Sequence, residues 1–458
     1  MKEEIVKQHL YEKYIEPTKR KREESIGIEI EMPILNLNQA PVDFAVIHGI
    51  TKKFMEQFQF QIAGQDEEGN IYSAAHAKTG DILSYDCSYN NLELSMGKEA
   101  NLFSIQKRFQ TYYQFLQDCL AEHNYTLSGM GVNPYRIYNH NVPIPNGRYR
   151  MLFHHLHSYK NYQLPMYFHE YPSYGTFSSA SQVQLDVAYE DLIETINTFS
   201  KLEPIKALLF SNSVLLGEHE ELICCRDMFW ENSTHGINPH NIGMFDCELN
   251  DIDDLQAYIA STSIYCVERG EKYINFPPIP ILDYFKQETV QGEYYADGEY
   301  RTIEVHPELE DIQYLRTFKF EDLTFRGTIE FRSVCCQPIK DSMTVAAFHL
   351  GLKDQLHALT DLLEQDQVIY HHGYTATELR KMFVQQELPN FVEEDALYNL
   401  VNQVLKLAET GLQNRGLGEE VLLQPLFERV EAHTNPARKM LALREQGVEL
   451  EEIIREYA

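Results

Sequence analysis

Two carboxylates share one face of a short alternating segment near the start of the chain. In residues 25–34 isoleucines occupy alternate positions, and Glu29 and Glu31 fall between them. Alternate side chains of an extended strand point the same way, so these carboxylates lie about 7 Å apart on one side. Like charges at that spacing repel, and a half-buried carboxylate costs several kcal/mol unless a cation or donor meets it. A divalent metal site is one interpretation, and the solvated face of an edge strand is the other.

Similar polar pairs recur far along the chain, on segments that are remote from one another in sequence. Each of these segments has a carboxylate, a carboxamide or an arginine at positions whose side chains can face the interior. They are the predicted strand 176–187 with Gln184 and Asp186, the predicted strand 328–334 with Glu330 and Arg332, and a segment with Asp86 and Glu93. We expect these side chains to converge in one pocket.

Such a cluster is suited to bind a hard cation and a phosphoryl group. Carboxylate and amide oxygens suit Mg²⁺, which keeps water or phosphate as its remaining ligands. An arginine beside them suits a phosphoryl group in transfer. A GxxxxGK[ST] loop is absent, and Gly129 and Gly131 stop short of a dinucleotide-binding motif. The set therefore indicates ATP chemistry in which metal ions replace a phosphate-binding loop.

Composition narrows the class of protein. The chain has 458 residues, 43% of them hydrophobic, and a formal net charge of −30. So acidic a surface argues against nucleic-acid binding and against binding to an anionic membrane. The N-terminal residues are charged throughout, no apolar run approaches a membrane span of about 20 residues, and the eight cysteines form no regular framework. We expect a cytoplasmic protein with reduced thiols.

The predicted elements form an α+β layout. An antiparallel-leaning sheet with flanking helices occupies a catalytic domain at 1–340, and a helical C-terminal region at 341–458 packs on it. Predicted helices are 1–20, one capped by Asp43 that runs to about Phe60, and those at 101–123, 148–162, 189–201 and 203–210. Short strands are predicted within 61–95, long loops over a site at 213–300, and helix breaks near Pro389, Gly411–Gly418 and Pro436.

Five motifs in this order resemble those of the glutamate–cysteine ligases, members of the glutamine-synthetase-like carboxylate–amine ligases. The likeness is spread over about residues 25–340. Each motif alone is weak, and their shared order makes the resemblance fairly specific. The motifs are Gly27-Ile-Glu-Ile-Glu31; Asp86 and Glu93 at a seven-residue interval; Gln182-Val-Gln-Leu-Asp186; Ser211-Asn-Ser213 with Arg226-x-x-x-Trp230 and Phe245-Asp246; and Ile329-Glu-Phe-Arg332.

The resemblance implies a curved, mainly antiparallel sheet that lines a metal and ATP cleft. Glu29, Gln184 and Glu330 would hold the Mg²⁺ that bridges the ATP phosphates. Glu31 and Glu93 would hold the Mg²⁺ that meets the γ-phosphate and the glutamate carboxylate. Mn²⁺ is the alternative cation, and ATP is the co-substrate.

The resemblance also implies roles outside the metal ligands. Arg332 would stabilise the phosphoryl group in transfer, and Arg226 would bind the amino-acid carboxylate of glutamate. Asp86 would lie near a third ion or the cysteine amine. Tyr135, after the Gly129–Gly131 turn, is a candidate substrate contact.

The implied activity is the ATP- and Mg²⁺-dependent ligation of the glutamate side-chain carboxylate to the amine of cysteine, through a γ-glutamyl phosphate. This reaction is the first step of glutathione synthesis. Small molecules are the expected partners, with no nucleic acid and no membrane. The alternatives are a sister ligase that uses another amine, a non-catalytic binding protein on this scaffold, and a metal-dependent hydrolase.

The chain departs from the family pattern at three places. Gln184 stands where relatives carry His or Asn, so its amide oxygen is a weaker ligand. An arginine expected soon after Trp230 is absent, and Ile237 stands about there. The residues after about 340 match no segment of the family, and we expect the reaction to stop at γ-glutamylcysteine.

Overall fold

The computed structural model describes residues 2–458. The helices are α1 Glu3–Leu10, α2 Phe44–Phe58, α3 Leu102–Ala121, α4 Gly147–His157, α5 Leu192–Phe210, α6 Cys225–Glu231, α7 Ile252–Ala260, α8 Ile281–Tyr284, α9 Thr344–Asp354, α10 Leu356–Gln365, α11 Ala376–Phe383, α12 Glu394–Arg415, α13 Gln424–Glu431, α14 Pro436–Glu445 and α15 Leu450–Tyr457. The strands are β1 Ile26–Asn36, β2 Gln61–Gln65, β3 Ile71–Ala75, β4 Ile82–Tyr85, β5 Asn91–Glu99, β6 Tyr125–Leu127, β7 Ser181–Asp186, β8 Ile242–Gly243, β9 Ser263–Arg269, β10 Lys272–Pro280, β11 Val290–Ala296, β12 Glu299–Val305, β13 Phe318–Lys319, β14 Glu321–Leu323 and β15 Thr328–Phe331.

The main sheet has nine strands, in the order β14-β15-β7-β1-β5-β4-β3-β2, with β6 also paired to β1. Every strand pair in it is antiparallel. Strand β1, which carries the alternating segment, lies in the middle between β7 and β5. The prediction of a mixed helix and sheet fold with mainly antiparallel sheets is confirmed.

The two faces of the sheet differ in polarity because the sequence of each central strand alternates. The apolar face includes Ile28, Ile30, Val183, Leu94 and Phe331, all of which belong to one large hydrophobic cluster. Helices α2, α3, α5 and α9 contribute residues to the same cluster. Burial of this face against helices leaves the opposite, polar face to form a site.

The region 213–300 differs from the prediction of long loops. Strands β9 to β12 form a second antiparallel sheet, in the order β12-β11-β10-β9, with its own hydrophobic cluster. Prolines and glycines here end or bend strands instead of leaving them unstructured, as in β10, which contains Pro277 and Pro278 and pairs with β9 through an irregular register.

The break predicted between the helices 189–201 and 203–210 is also absent. Helix α5 runs from 192 to 210 through Pro204, and most of its side chains are buried, so packing on several sides maintains the helix despite the proline. The break predicted near Gly411–Gly418 is present, because α12 ends at Arg415 and Gly416 adopts a left-handed conformation. Within that range the helix still passes through Gly411. A Cβ at this position would lie 2.0 Å from the carbonyl oxygen of Gly351 in α9, so Gly411 permits close helix contact rather than a break.

The residues after 341 are helical, as the sequence predicts. Their apolar side chains, such as Leu359, Val401 and Leu405, join the same cluster as the apolar face of the main sheet. The division into domains at 340 and 341 stays a prediction. Within residues 2–458, no helix combines the length and apolar character needed to cross a membrane.

Candidate active site

Strand register brings the predicted ligand residues to neighbouring positions on the polar face. Glu31 of β1 lies directly opposite Glu93 of β5. On the other side, Gln184 of β7 lies opposite Glu330 of β15, and Glu29 of β1 lies opposite Gln182. Cross-strand neighbours of like charge are destabilising unless a cation lies between them. Four strands, β1, β5, β7 and β15, therefore bring these side chains together at one site.

The amide of Gln184 joins two of these carboxylates. Its Nε2 donates to Glu29 Oε1 at 3.2 Å and to Glu330 Oε1 at 2.8 Å. Its Oε1 accepts from Arg326 Nη2 at 2.8 Å. Gln184 thus presents its nitrogen to the carboxylates, and ligation of a metal through its oxygen requires the amide to turn over.

Glu31 and Glu93 are held by neutral donors. Glu31 accepts from the backbone N–H of Ala180 at 2.7 Å and from Gln182 Nε2 at 2.9 Å. Glu93 Oε1 accepts from the hydroxyls of Ser84 at 3.3 Å and Ser95 at 2.5 Å. These bonds orient the carboxylates without neutralising them.

The carboxylates also raise one another's pKa values. Burial, followed by the Glu330 and Glu93 charges, raises the pKa of Glu29 well above its usual value. Burial and the nearby Asp86 raise the pKa of Glu31 to about 8 and that of Glu93 to about 7. Burial likewise raises the pKa of Asp86, although Arg148 opposes the shift. Burial is the largest cause of each shift, and for Glu29, Glu31 and Glu93 the charges of neighbouring carboxylates add to it.

We call Glu29, Glu31, Asp86, Glu93 and Glu330 the carboxylate cluster. Among the described residues, no three His, Cys, Asp or Glu side chains are gathered closely enough to hold a metal ion as they stand. The donor chemistry nevertheless fits Mg²⁺, because the cluster offers hard oxygens and its raised pKa values mark a need for added positive charge. The strands fix the register of the residues that carry these carboxylates.

Arg332 follows the last residue of β15 and contacts the cluster directly. Its Nη1 donates to Glu330 Oε2 at 2.5 Å. Arg226, on α6, lies next to it and is buried. Arg226 donates to the carbonyl of Ser333 at 3.2 Å and to that of Arg332 at 3.5 Å, and its Nε has no hydrogen-bond partner.

A cavity of about 750 Å³ adjoins this site, which is within the usual range for small-molecule sites. Its lining includes Glu31, Asp86, Glu330, Arg226 and Arg332. The predicted catalytic and glutamate-binding side chains therefore share one cavity with part of the carboxylate cluster.

Tyr135 lies elsewhere. It is buried in a hydrophobic cluster with Leu35, Met130 and Ile453, its ring packs edge-on against Tyr138, and it is not part of the cavity lining. The structure does not bring it together with the other predicted site residues.

Several residues of the site were not singled out from the sequence. Gln182 shares a strand face with Gln184, so the period of two was a sufficient signal for it. Asp322 of β14 lies opposite Glu330, and burial raises its pKa to about 7. Arg148 and Arg326 stand outside the alternating strands, and only the tertiary structure reveals them.

Comparison with known proteins places these features in context. Residues 25–458 match the sequence model of glutamate–cysteine ligase family 2. The prediction that the residues after about 340 match no segment of the family is therefore wrong, because the match continues to residue 458. The chloroplastic glutamate–cysteine ligase of Solanum lycopersicum is 25% identical over 313 residues, which cover 66% of this chain and 54% of that protein. Glutamate–cysteine ligase A of Oryza sativa subsp. indica, also chloroplastic, is 22% identical over 459 residues, covering 97% and 86%.

A solved structure shares the fold. It is the glutamate–cysteine ligase of Francisella tularensis in complex with AMP, with a TM-score of 0.52, 11% identity, and coverage of 96% of this chain and 88% of that chain. At this identity the likeness concerns the fold alone. The chain spans about half the length of the tomato relative (54%).

Proposed function

The chain belongs to glutamate–cysteine ligase family 2, and from that premise we propose that it joins the side-chain carboxylate of L-glutamate to the amine of L-cysteine, using ATP and Mg²⁺. The family and the ligase class predicted from the motifs are confirmed. The particular reaction is a proposal, because the chain spans only 54% of the tomato relative. A cytoplasmic location is also a proposal, since the relatives named above are chloroplastic.

One observation supports the proposal most strongly. Five buried or half-buried carboxylates share a small volume next to Arg332, and the pKa values of Glu29, Glu31, Asp86 and Glu93 are all raised. In the ligand-free protein such a cluster lowers stability, because buried like charges repel. It becomes favourable when cations bind to it beneath a triphosphate.

The residues divide into two proposed metal-binding groups. Glu29, Gln184 and Glu330 would hold one Mg²⁺. Glu31 and Glu93 would hold a second. When bound, Mg²⁺ would neutralise the triphosphate and favour phosphoryl transfer.

Protein side chains then position the two reacting amino acids. Arg226 binds the amino-acid carboxylate of glutamate, and this fits a buried guanidinium whose donated bonds go only to carbonyls. A side-chain carboxylate oxygen of glutamate attacks the γ-phosphorus, ADP leaves, and Arg332 stabilises the charge on the transferring oxygens. The product of this step is γ-glutamyl phosphate.

The second step forms the amide. The cysteine amine attacks the acyl carbon of the intermediate, phosphate leaves with the bonding electrons, and the amine loses a proton. Asp86 is the proposed acceptor of that proton, because its raised pKa makes it a better base than a free aspartate.

The test is ADP release by the purified chain with Mg²⁺, ATP and glutamate, with and without cysteine, followed by the product mass. We expect ADP formation that depends on both amino acids and on Mg²⁺, and a product with the mass of γ-glutamylcysteine. A panel of other amines tests the sister ligase. Turnover with another amine but not with cysteine would contradict the proposed acceptor, and ATP-independent hydrolysis would contradict the reaction class.

A further inference from the structure

A closed ring of contacts holds Arg226 and passes through the helical C-terminal region. Arg226 Nη1 donates to the carbonyl of Ser333 at 3.2 Å, and the hydroxyl of Ser333 donates to Glu203 Oε1 at 2.9 Å. The other carboxylate oxygen of Glu203 accepts from Arg380 Nη1 at 2.5 Å. Arg380 also binds Asp227, which follows Arg226 in the chain and so closes the ring. We call Glu203, Asp227, Ser333 and Arg380 the support ring.

Arg380 binds Asp227 through two parallel hydrogen bonds. Its Nε donates to Asp227 Oδ2 at 2.7 Å, and its Nη2 donates to Oδ1 at 3.0 Å. Such a pair fixes the direction of the carboxylate as well as its distance. Arg380 belongs to α11, whereas Glu203 and Asp227 belong to α5 and α6. One side chain of the C-terminal region therefore attaches α6 to α5.

Backbone hydrogen bonds attach the same part of the C-terminal region to the residues just before α6. The N–H of Ile223 donates to the carbonyl of Val384 at 2.8 Å, and the N–H of Gln386 donates to the carbonyl of Glu221 at 2.8 Å. Val384 and Gln386 follow the end of α11, and α6 begins at Cys225. The chain on both sides of the first residue of α6 is therefore held by α11 and by the residues that follow it.

The charges of the support ring are buried and opposite in sign. Burial alone would raise the pKa of Glu203, but the charges of Lys206 and Arg380 oppose it and lower that pKa to about 2. Burial would lower the pKa of Arg380, but the charges of Asp227 and Glu203 raise it well above its usual value. Buried ion pairs add little net stability, because removing the charges from water offsets their attraction. What the ring positions is therefore a better explanation for it than stability.

The support ring leaves one edge of the Arg226 guanidinium available to a ligand. Its Nη1 and Nη2 donate to the carbonyls of Ser333 and Arg332, whereas its buried Nε has no hydrogen-bond partner within residues 2–458. Arg226 is 6% exposed and lines the 750 Å³ cavity. A buried donor of this kind is unfavourable unless a polar ligand approaches it. Because a carboxylate meets a guanidinium through two parallel bonds, a small displacement of Arg226 would weaken one of them.

We propose that Arg380 is a positioning residue for glutamate: it holds α6 through Asp227, so that the guanidinium of Arg226 meets the amino-acid carboxylate of the substrate. This inference rests on the proposed function, which assigns that carboxylate to Arg226. Arg380 does not line the cavity and touches no substrate itself. The helical C-terminal region thus contributes to glutamate binding from outside the site.

The variants Arg380→Lys and Asp227→Asn test the proposal by steady-state kinetics with each substrate varied in turn. Arg380→Lys keeps the buried positive charge but loses the two parallel bonds, and Asp227→Asn keeps the shape of the side chain. In both, the KM for glutamate should rise roughly 5- to 20-fold, because Arg226 is no longer held in place. The KM for cysteine and for ATP should change less than about twofold and kcat should fall less than about threefold, as expected for lost binding of one substrate.

A double variant distinguishes positioning from a separate effect on glutamate. The KM for glutamate of Arg226→Gln with Arg380→Lys should equal that of Arg226→Gln alone within about twofold, because no guanidinium remains to be positioned. If the two effects multiply instead, Arg380 acts by another route and the inference is overturned. An unchanged KM for glutamate in both Arg380→Lys and Asp227→Asn also overturns it.

The matched control is Arg429→Lys, which changes another buried arginine of the C-terminal region. Arg429 lies on α13, outside the cavity lining, and donates to Asp341 at 2.9 Å and to Gln337 at 2.7 Å. Arg429→Lys should lower the melting temperature, as Arg380→Lys does, but leave the KM for glutamate within about twofold of the wild type. A rise as large as that of Arg380→Lys would show that any loosening of the C-terminal region weakens glutamate binding, and it would overturn the inference.

Calorimetry of glutamate binding separates this inference from the proposed reaction. If the wild type releases no ADP with any amine, the proposed reaction fails, and the inference is then judged by the Kd for glutamate. Arg226→Gln and Arg380→Lys should each weaken binding, and the double variant should bind no more weakly than Arg226→Gln. Unchanged binding in either single variant, or a wild type that binds no glutamate, overturns the inference.

Discussion

The carboxylate cluster and two cations, Lys13 and Arg316, border the same cavity and are opposite in charge, yet they are built differently. The carboxylate cluster stands mostly on paired strands, where backbone hydrogen bonds fix each residue relative to its neighbours. Lys13 stands on a π-helical turn, and Arg316 stands on a segment between two short elements. The carboxylates act on one another as like charges, whereas Lys13 is close both to Arg316 and to the opposite charge of Asp322.

The two groups of residues differ in how precisely their side chains must be positioned. Metal ligands and phosphoryl groups must be placed within a fraction of an ångström, which regular strands achieve well. Irregular segments can change between relatives without disturbing the sheet. We infer that the sheet positions the proposed metal-binding residues, whereas the segments around it can vary more freely.

The largest expected effect is on the carboxylate cluster. Glu330→Gln keeps the shape of the side chain but removes a charge that we assign to metal binding and that Arg332 contacts. We expect turnover to fall roughly 10³-fold, since a lost metal ligand costs several kcal/mol of barrier. The measurement is ADP release with saturating glutamate and cysteine.

Glu304→Gln is the matched control for that variant. Glu304 is an exposed carboxylate of β12 that accepts from Gln291 at 2.8 Å, away from the cavity lining. It should keep wild-type turnover. Near-normal ADP release by Glu330→Gln would show that the strand pattern was misread as a metal site.

The next effect concerns Arg226, which lies beside the cluster without belonging to it. Arg226→Gln should raise the KM for glutamate roughly 10- to 100-fold and leave the KM for cysteine nearly unchanged, because only the donor carboxylate loses its partner. Steady-state kinetics with each amino acid varied in turn provides the measurement. A matching rise in the KM for cysteine would contradict the assignment of Arg226 to glutamate alone.

A smaller effect links the carboxylate cluster to pH. The folded-state pKa values of Glu31 and Glu93, about 8 and about 7, exceed the unfolded value of about 4.3. The folded protein therefore binds more protons between about pH 4.5 and pH 8, and the free energy of unfolding falls as pH rises through this window. We expect the melting temperature of EDTA-treated protein to fall from pH 5 to pH 8.

Magnesium should reverse this trend, because it binds the charged carboxylates. Its stabilising effect on the melting temperature should be larger at pH 8 than at pH 5. The double variant Glu31→Gln with Glu93→Gln should flatten both dependences. An equal effect of Mg²⁺ at the two pH values would argue against its binding at this cluster.

The smallest effect separates stability from function. Glu29→Gln removes a buried charge whose pKa is raised well above its usual value, yet it can still accept the bond from Gln184. Without metal at pH 8, it should raise the melting temperature by roughly 1–3 °C while turnover is lost. The difference between the two melting temperatures should shrink as the pH is lowered, because the raised pKa of Glu29 favours protonation of the wild-type carboxyl. A lower melting temperature at pH 8 would contradict the raised pKa.

Sequence patterns predicted much of the sheet. The alternation in β1, β7 and β15 identified both the strands and the polar face, and Asp43 does cap α2, accepting from the N–H of Ala45 at 2.9 Å. Local signals were misleading where packing dominated. Pro204 lies inside a buried helix, and much of the segment predicted as loops forms a four-stranded sheet.

The sequence alone determined which side chains of the carboxylate cluster share a strand face. A strand's period of two places them there, whatever surrounds the strand. Which strands become neighbours, and therefore that Glu31 opposes Glu93 and Gln184 opposes Glu330, was decided by the tertiary structure. Lys13 and Arg316 had no recognisable pattern, because a turn and a loop have no fixed period. Their proximity arises only from the docking of the N-terminal helix, a long-range contact about 300 residues apart in the chain that no local propensity encodes.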